Sequence, residues 1–394
     1  MAKSIPALVT PEVLVWAREL DAISVDEIAS KMKIPPQKIE EWEDGISYPT
    51  LTQAKELARQ YRVPFVYFYL PDTPQKKKRL SKVDYRAFGN MGVQSTESRE
   101  LRWLLRDIED RRDSMLDLYE EIGKKTLDFP IKVDVKSSNE EIAKVIRELL
   151  NLSMTTQKKF RYPEKALSHC VEALEKKDVL VFQATKIETS EMRGLSVAYE
   201  QMPIIVLNRK DEPSARLFTL CHELVHIVTR TSGICTDVSE NSTSNNELEL
   251  RCNQIAGMVL VPKSSIAKHP IIKEIQIYGF DDGRVGKIAK DFAVSKQVIL
   301  HCLWELNIIS QPFYYETLNR YSDEYKAYKA QKPKKGFLPP VTDTVSQVGK
   351  LYARTVLNAY YAEKITARDT SSYLLNLKAK NWKGGASSGR QICI

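Results

Sequence analysis

The chain is poor in histidine and has no closely paired cysteines. Only five of its 394 residues are His, namely His169, His222, His226, His269 and His301. Its six Cys form no C-x-x-C pair, which argues against a disulfide framework and against a cysteine zinc site. No apolar run approaches the length of about 18 residues that spans a membrane, and the N-terminus lacks the apolar region of a signal peptide. We therefore expect a cytoplasmic protein that does not enter a membrane.

Positive charge is present but unevenly distributed. The chain carries 59 Lys and Arg against 51 Asp and Glu, a formal net charge of +8. Residues 1–75 hold 8 basic and 11 acidic residues, whereas residues 310–394 hold 14 basic and 6 acidic residues. The basic C-terminal part also contains interleaved Tyr, which is compatible with nucleic-acid contact, although a solvated surface is the simpler interpretation.

The stretch from Leu217 to Val228 places two imidazoles and a carboxylate in an apolar segment of helical length. His222 and His226 are four residues apart, so on a helix they lie on the same face. With Glu223 they form an H-E-x-x-H pattern, in which two neutral imidazoles bind Zn²⁺ and the glutamate can act on a water. A helix can also carry two His for packing, but a divalent cation would compensate the desolvation of these three polar groups.

Two His do not complete a catalytic zinc site, which needs a third protein ligand. The longer pattern H-E-x-x-H-x-x-G-x-x-H is excluded, because Thr229 and Ser232 stand where its Gly and third His would be. A glutamate on a following helix is the natural candidate. The predicted helix over 245–260 carries Glu249 on a face of small residues that can pack closely under the first helix.

Three short apolar runs before the H-E-x-x-H stretch predict β-strands. They cover residues 179–183, 194–198 and 203–208. The edge of such a sheet can hold an extended peptide by strand addition. We therefore predict Gly194, Ser196 and Tyr199 as substrate-binding residues, and the alternative is that these strands only complete the core.

Residues 11–70 are predicted to form five short helices with the layout of a helix-turn-helix domain. The string from Ile39 to Gly45, followed by Pro49-Thr50-Leu51, resembles the XRE family of phage-repressor-like domains. Under that resemblance Gln37 and Lys38 on the recognition helix are the candidate DNA-binding residues. The same helix carries four carboxylates, which duplex phosphates would repel. Protein docking or dimerisation is therefore the alternative role of this module.

Two stretches together resemble the ImmA/IrrE family of metallo-endopeptidases. They are Arg216 to His226, close to R-x-F-T-L-A-H-E-L-G-H, and Glu249-x-x-Cys252-Asn253-x-Ile255-Ala256, close to E-x-x-A-N-x-F-A. The resemblance implies that His222, His226 and Glu249 hold Zn²⁺ and that Glu223 is the catalytic carboxylate. This chain departs from the family patterns by exchanges among small or apolar residues. One of them, Val225 in place of Gly, is the exchange that would narrow the access of a substrate to the site.

Two functions fit these residues. The resemblance implies a zinc-dependent, site-specific endopeptidase that cleaves a repressor, an antitoxin-like protein or another regulator, and so controls gene expression in a stress, mobile-element or toxin–antitoxin setting. The alternative is a helix-turn-helix transcription regulator whose metallopeptidase-like domain is a sensor or protein-binding module without cleavage. The expected partners are the protein substrate, DNA through the helix-turn-helix domain or the basic segments, and a second copy of the chain.

The predicted fold is mainly α with a small β-sheet, an α+β protein. An XRE-like domain of five helices is placed at residues 1–72, and a linker with a long helical segment at 73–135. A zincin-like metallopeptidase domain is placed at 136–310. Residues 311–394 are predicted as a basic connector, C-terminal helices and a flexible tail. The connector is predicted between Tyr314 and Pro340, where Tyr and Lys alternate and the prolines fall late.

Overall fold

A computed structural model of the chain describes residues 5–74, 98–231, 233–235, 243–331 and 338–382. The chain divides into two compact units: one comprises residues 1–83 and 96–106, and the other comprises 84–95 and 107–394. Within the described ranges the chain is mostly helical and has one small sheet, which confirms the predicted α+β character. None of the helices in those ranges is long and apolar enough to cross a membrane.

The first unit contains the five helices that were predicted for residues 11–70. They are α1 (Pro11–Glu19), α2 (Val25–Met32), α3 (Pro36–Glu43), α4 (Leu51–Gln60) and a 3₁₀ helix (Phe65–Tyr69). Local signals set their starts: the Ser24 hydroxyl accepts the Glu27 N–H at α2, and Thr50 forms a capping box with Gln53 at α4. Ile28, Ile39 and Trp42 are among the buried residues of its apolar core.

The second unit holds the remaining described elements apart from the start of α5. In chain order they are α5 (Arg99–Glu121), α6 (Asn139–Leu149), α7 (Met154–Phe160), α8 (Pro163–Glu175), β1 (Leu180–Ala184), β2 (Gly194–Val197), β3 (Ile204–Asn208), α9 (Pro213–Thr229), β4 (Gly233–Cys235), α10 (Thr243–Leu260), α11 (Lys263–Ala267), α12 (Pro270–Tyr278), α13 (Asp282–Phe292), α14 (Lys296–Glu305), α15 (Gln311–Gln331), α16 (Pro340–Val348), α17 (Lys350–Tyr361), α18 (Ala367–Tyr373) and a 3₁₀ turn (Ala379–Asn381).

The sheet has the strand order β1-β3-β2-β4. Strands β1 and β3 are parallel, whereas β2 is antiparallel to both β3 and β4. The three predicted strands are confirmed, and none of their ends is shifted by more than one residue. Strand β4 was not predicted, because three residues are too few to show a periodicity.

Helix α9 is the centre of the second unit. Residue Leu217 and all residues from Thr219 to Val228 are buried, and the helix contacts α8, α10, β2 and β3. Pro213 starts the helix, and Arg230 ends it in a left-handed conformation. A helix that is enclosed on all sides forces its polar side chains to find partners inside the protein.

The prediction of an extended connector from Tyr314 to Pro340 was wrong for residues 314–331. Helix α15 continues to Gln331, and residues 332–337 lie outside the described part of the chain. The stretch from 313 to 331 contains neither Pro nor Gly, and Thr317 and Tyr321 are buried, so packing stabilises a helix whose apolar pattern is weak. The linker predicted at the start of residues 73–135 lies mostly outside the described residues, and the predicted tail lies wholly outside them.

Gln157 on α7 joins three parts of the second unit through a fully buried amide. Its Nε2 donates to the carbonyl oxygens of Leu260 (2.6 Å) and Phe292 (2.9 Å), and its Oε1 accepts from Arg147 Nη1 (3.0 Å). An apolar replacement would remove the donor of both carbonyl oxygens, whereas Arg147 Nη1 would keep its hydrogen bond to the carbonyl oxygen of Val259. A buried polar group without a partner costs about 1–3 kcal/mol.

We therefore expect Gln157→Leu to lower the free energy of unfolding by about 3 kcal/mol. Urea unfolding followed by circular dichroism measures this change. Lys158→Leu is the matched control, because Lys158 is the exposed neighbour on the same helix, and it should change stability by less than about 0.5 kcal/mol. Equal effects of the two substitutions would contradict a specific role of the buried amide.

Candidate metal centre

Helices α9 and α10 bring three potential metal ligands together. His222 and His226 come from successive turns of α9, and Glu249 comes from α10, which packs against α9. His222 Nε2 lies 3.0 Å from Glu249 Oε2 and 3.2 Å from His226 Nε2. His226 Nε2 lies 3.5 Å from Glu249 Oε1. The three side chains therefore form a compact triangle of nitrogen and oxygen atoms.

The outer nitrogens of the two imidazoles also have partners. His222 Nδ1 lies 2.9 Å from Asn253 Oδ1, an atom that can only accept, so this nitrogen carries the proton. His226 Nδ1 lies 3.0 Å from the Thr231 hydroxyl. A neutral His222 would therefore present a lone pair at Nε2 toward the triangle. Such second contacts are the usual way in which ligand imidazoles are oriented.

The triangle fits a divalent metal ion in both size and chemistry. A tetrahedral ion with metal–nitrogen distances of about 2.0–2.1 Å separates its ligand atoms by about 3.3 Å, and the three observed separations are 3.0, 3.2 and 3.5 Å. Lone pairs that face each other at this distance repel unless a proton or a cation lies between them. Mixed imidazole and carboxylate ligands suit zinc and related first-row metals.

Glu223 lies beside the triangle and is completely buried. The Ser196 hydroxyl of β2 donates to Glu223 Oε2 at 2.6 Å, whereas no hydrogen-bond partner is found for Glu223 Oε1 among the described residues. Gly194 provides the space for this carboxylate, because a Cβ atom at position 194 would lie 2.6 Å from Glu223 Oε1. A hydrogen bond thus fixes Glu223 Oε2, whereas Oε1 is available to accept a proton or a hydrogen bond.

Burial sets the protonation of these groups in the absence of metal. It raises the pKa of Glu223 to about 7, although His222 and the Ser196 hydroxyl act in the opposite direction. It also lowers the pKa of His226 to about 4. Burial opposes the ionisation of Glu249 too, but the hydrogen bond with His222 and the charges of both imidazoles outweigh it and hold the Glu249 pKa below its usual value. Neutral His226 and ionised Glu249 are the forms that bind a cation.

The other residues predicted for function lie in three different places. Gly194 and Ser196 both contact or face Glu223, so the structure places them next to the carboxylate. The Tyr199 ring lies beneath the Arg112 guanidinium at 3.9 Å. Gln37 and Lys38 are exposed on α3 of the first unit, where Lys38 pairs with Glu41 at 2.6 Å. Their roles in substrate or DNA binding stay predictions.

The sequence patterns did not identify every residue that supports the centre. Asn253 follows Glu249 by one helical turn, and that spacing was a usable signal for a residue on the same face. Thr231 and Thr219 gave no such signal, since Thr231 lies beyond the helix end and Thr219 meets β2 only in the folded chain. The contact from Ser196 to Glu223 spans 27 positions of sequence and needs the sheet to form.

Comparison with known proteins agrees with this centre. Residues 174–303 match the model of a peptidase family described as the IrrE N-terminal-like domain. The matched stretch begins in the last turn of α8 and ends in α14, so it includes the sheet and all three candidate ligands. The chain therefore contains a metallopeptidase-like domain with a candidate metal site. Comparison with curated proteins gives no match.

Substitution of Gly194 should disturb the centre through simple crowding. Gly194→Ala would place a methyl group against Glu223 Oε1 and the Thr219 side chain, and we expect a loss of about 1–3 kcal/mol in stability. Gly257→Ala on α10 is the matched control. A Cβ atom at position 257 meets nothing within 4 Å, so Ala should stabilise the helix by about 0.5–1 kcal/mol. Urea unfolding of both variants measures the contrast, and a stabilised Gly194→Ala would refute the crowding.

The raised pKa of Glu223 should be visible as a pH-dependent stability of the metal-free protein. Between its ordinary value of 4.5 and about 7, the folded chain retains a proton that the unfolded chain has released. Wild-type stability should therefore fall across this window relative to Glu223→Gln, which cannot ionise. From pH 5 to pH 8 the difference should change by roughly 2–3 kcal/mol in favour of the variant. Urea unfolding with a chelator present measures it, and parallel pH profiles would count against the shift.

Proposed function

We propose that the chain is a zinc-dependent endopeptidase that cleaves a specific regulatory protein. The observation that carries the proposal is the buried Glu223 carboxylate, held at one oxygen by Ser196, beside His222, His226 and Glu249. A structural metal site is normally closed by four protein ligands and has no use for a further, partly unpaired acid at its side. The match of residues 174–303 to a peptidase family supports the same reaction class.

The proposed mechanism assigns each residue one task. His222, His226 and Glu249 would hold the zinc ion, which when bound supplies Lewis-acid chemistry that polarises a peptide carbonyl and makes water more acidic. Glu223 Oε1 accepts a proton from the attacking water and later gives it to the leaving amine nitrogen. The water oxygen bonds to the carbonyl carbon, and the C–N bond then breaks. Ser196 keeps Oε2 fixed during both transfers.

The regulatory nature of the substrate rests on the first unit. Residues 11–70 resemble the XRE family, and such a module can bring the chain to a repressor, an antitoxin-like protein or a DNA site. The charges of α3 favour protein over DNA, because Lys38 is paired with Glu41 and the helix carries further carboxylates that phosphates would repel. We therefore propose recruitment of a protein target through this unit.

Two substitutions separate metal binding from cleavage. Glu223→Gln should keep zinc affinity within a few-fold of wild type, since it removes no ligand, but it should lower the cleavage rate about 10²–10⁴-fold because the proton acceptor is lost. Glu249→Ala should lose both zinc affinity and cleavage. Competition with a chromophoric chelator measures the Zn²⁺ affinity of each purified protein.

Sequencing of new protein N-termini in cells that express each form measures cleavage, whichever protein is the substrate. New termini should appear with the wild type and be absent with Glu223→Gln and with Glu249→Ala. Glu247→Ala is a matched control on the same helix, because Glu247 is exposed, and it should behave as wild type. If wild type and Glu223→Gln produce the same termini, the chain is not an endopeptidase of this type.

A further inference from the structure

A large cavity in the second unit reaches one of the candidate metal ligands. Its volume is about 1280 Å³, and its walls come from α9, α10, α14 and α15. His222, Thr219 and Asn253 line one part of it, while Tyr314 and Tyr325 of α15 line another. We call this cavity the groove. It connects the surroundings of the metal centre with a helix that lies outside the matched peptidase domain.

The size and charge of the groove select the kind of occupant. Pockets for drug-sized ligands measure about 300–1,000 Å³, so the groove is larger than a small molecule needs. Three basic residues line it (Arg193, Lys263 and Lys296), together with four acidic ones (Asp211, Glu212, Glu305 and Glu324). This near balance does not attract a polyanion, because nucleic-acid sites carry clustered positive charge. A segment of polypeptide fits both observations.

Apolar side chains along the groove offer contacts to such a segment. Phe218 of α9, Met258 of α10 and Val298 of α14 all line it. Each is only partly buried and packs on the core with its remaining surface. Partly buried apolar groups in a groove are usual anchoring points of a bound peptide, because the apolar area that the peptide buries there offsets the entropy lost when it becomes ordered.

The part of the groove formed by α14 and α15 carries two aromatic residues, Trp304 and Tyr314, which we call the aromatic shelf. Their ring centroids are 4.9 Å apart and their planes differ by 17°, so the two rings are stacked. His301 lies against both rings, at 5.5 Å from Trp304 and 5.8 Å from Tyr314. Its contacts help to fix the shelf in one orientation. Rigid aromatic surface loses little entropy on binding and is therefore common at binding hot spots.

We propose that the groove binds a segment of the protein substrate and that the aromatic shelf selects an apolar side chain of that segment, best an aromatic one. This inference rests on the proposed endopeptidase function and adds the residues that determine its specificity. Trp304 and Tyr314 both lie beyond the matched residues 174–303. The shelf therefore lies outside the matched domain, whereas the metal ligands lie within it.

A displayed library of random dodecapeptides tests the proposal without using cleavage. The library is selected on full-length, zinc-loaded Glu223→Gln protein, and the affinities of the enriched peptides are then measured. We expect enriched peptides to share an aromatic or large aliphatic residue. Adding Trp304→Ala or Tyr314→Ala should weaken their binding at least 10-fold, whereas Trp304→Phe should retain most of it.

Tyr278→Ala is the matched control for the shelf. Tyr278 is an aromatic residue of α12, is 71 % exposed and does not line the groove, so binding should stay within about two-fold. Unchanged zinc affinity and circular dichroism show that each variant is folded. Peptides that bind equally well to Trp304→Ala, or that share no apolar residue, would overturn the proposal. Peptides that meet these expectations but are not cut by the wild type would support the groove while counting against the proposed peptidase activity.

Discussion

Three side chains with lone pairs converge where α9 packs against α10, and the mutual repulsion of these lone pairs has to be balanced. Glu249 is partly buried on α10, and His222 and His226 lie on α9, which is buried from Thr219 to Val228. These polar side chains are therefore explained by what they bind, and a divalent cation both cancels the repulsion and offsets the desolvation.

The sheet matters because its strand β2 contacts Glu223, the polar side chain next to the three candidate ligands. Strand β2 lies between β3 and β4, and its residues Gly194 and Ser196 point toward the same carboxylate. Gly194 leaves room for the Glu223 carboxylate, and Ser196 donates a hydrogen bond to it. Both residues can face Glu223 because residues two apart in a strand point to the same side of the sheet. A shift of β2 by a single residue would turn both toward the opposite face, so strand register and carboxylate position are coupled.

Much of this arrangement could be predicted from local patterns. Helical spacing grouped His222 with His226, and the face of the following helix singled out Glu249, which the structure brings to within 3.0 Å of His222. Contacts that depend on distant segments, such as Ser196 with Glu223, have no local pattern to reveal them. Helix α15 was missed for a different reason: its Tyr and Lys residues gave no apolar stripe, although nothing in the stretch prevents a helix.

The match to the peptidase family ends at residue 303, inside α14. The groups that would carry out hydrolysis lie before it, whereas Trp304 and the whole of α15 lie after it. Mutations in the later stretch can remodel the groove without altering a ligand or the carboxylate. If the proposed function holds, the choice of target can therefore change through α15 while the residues proposed for hydrolysis stay the same.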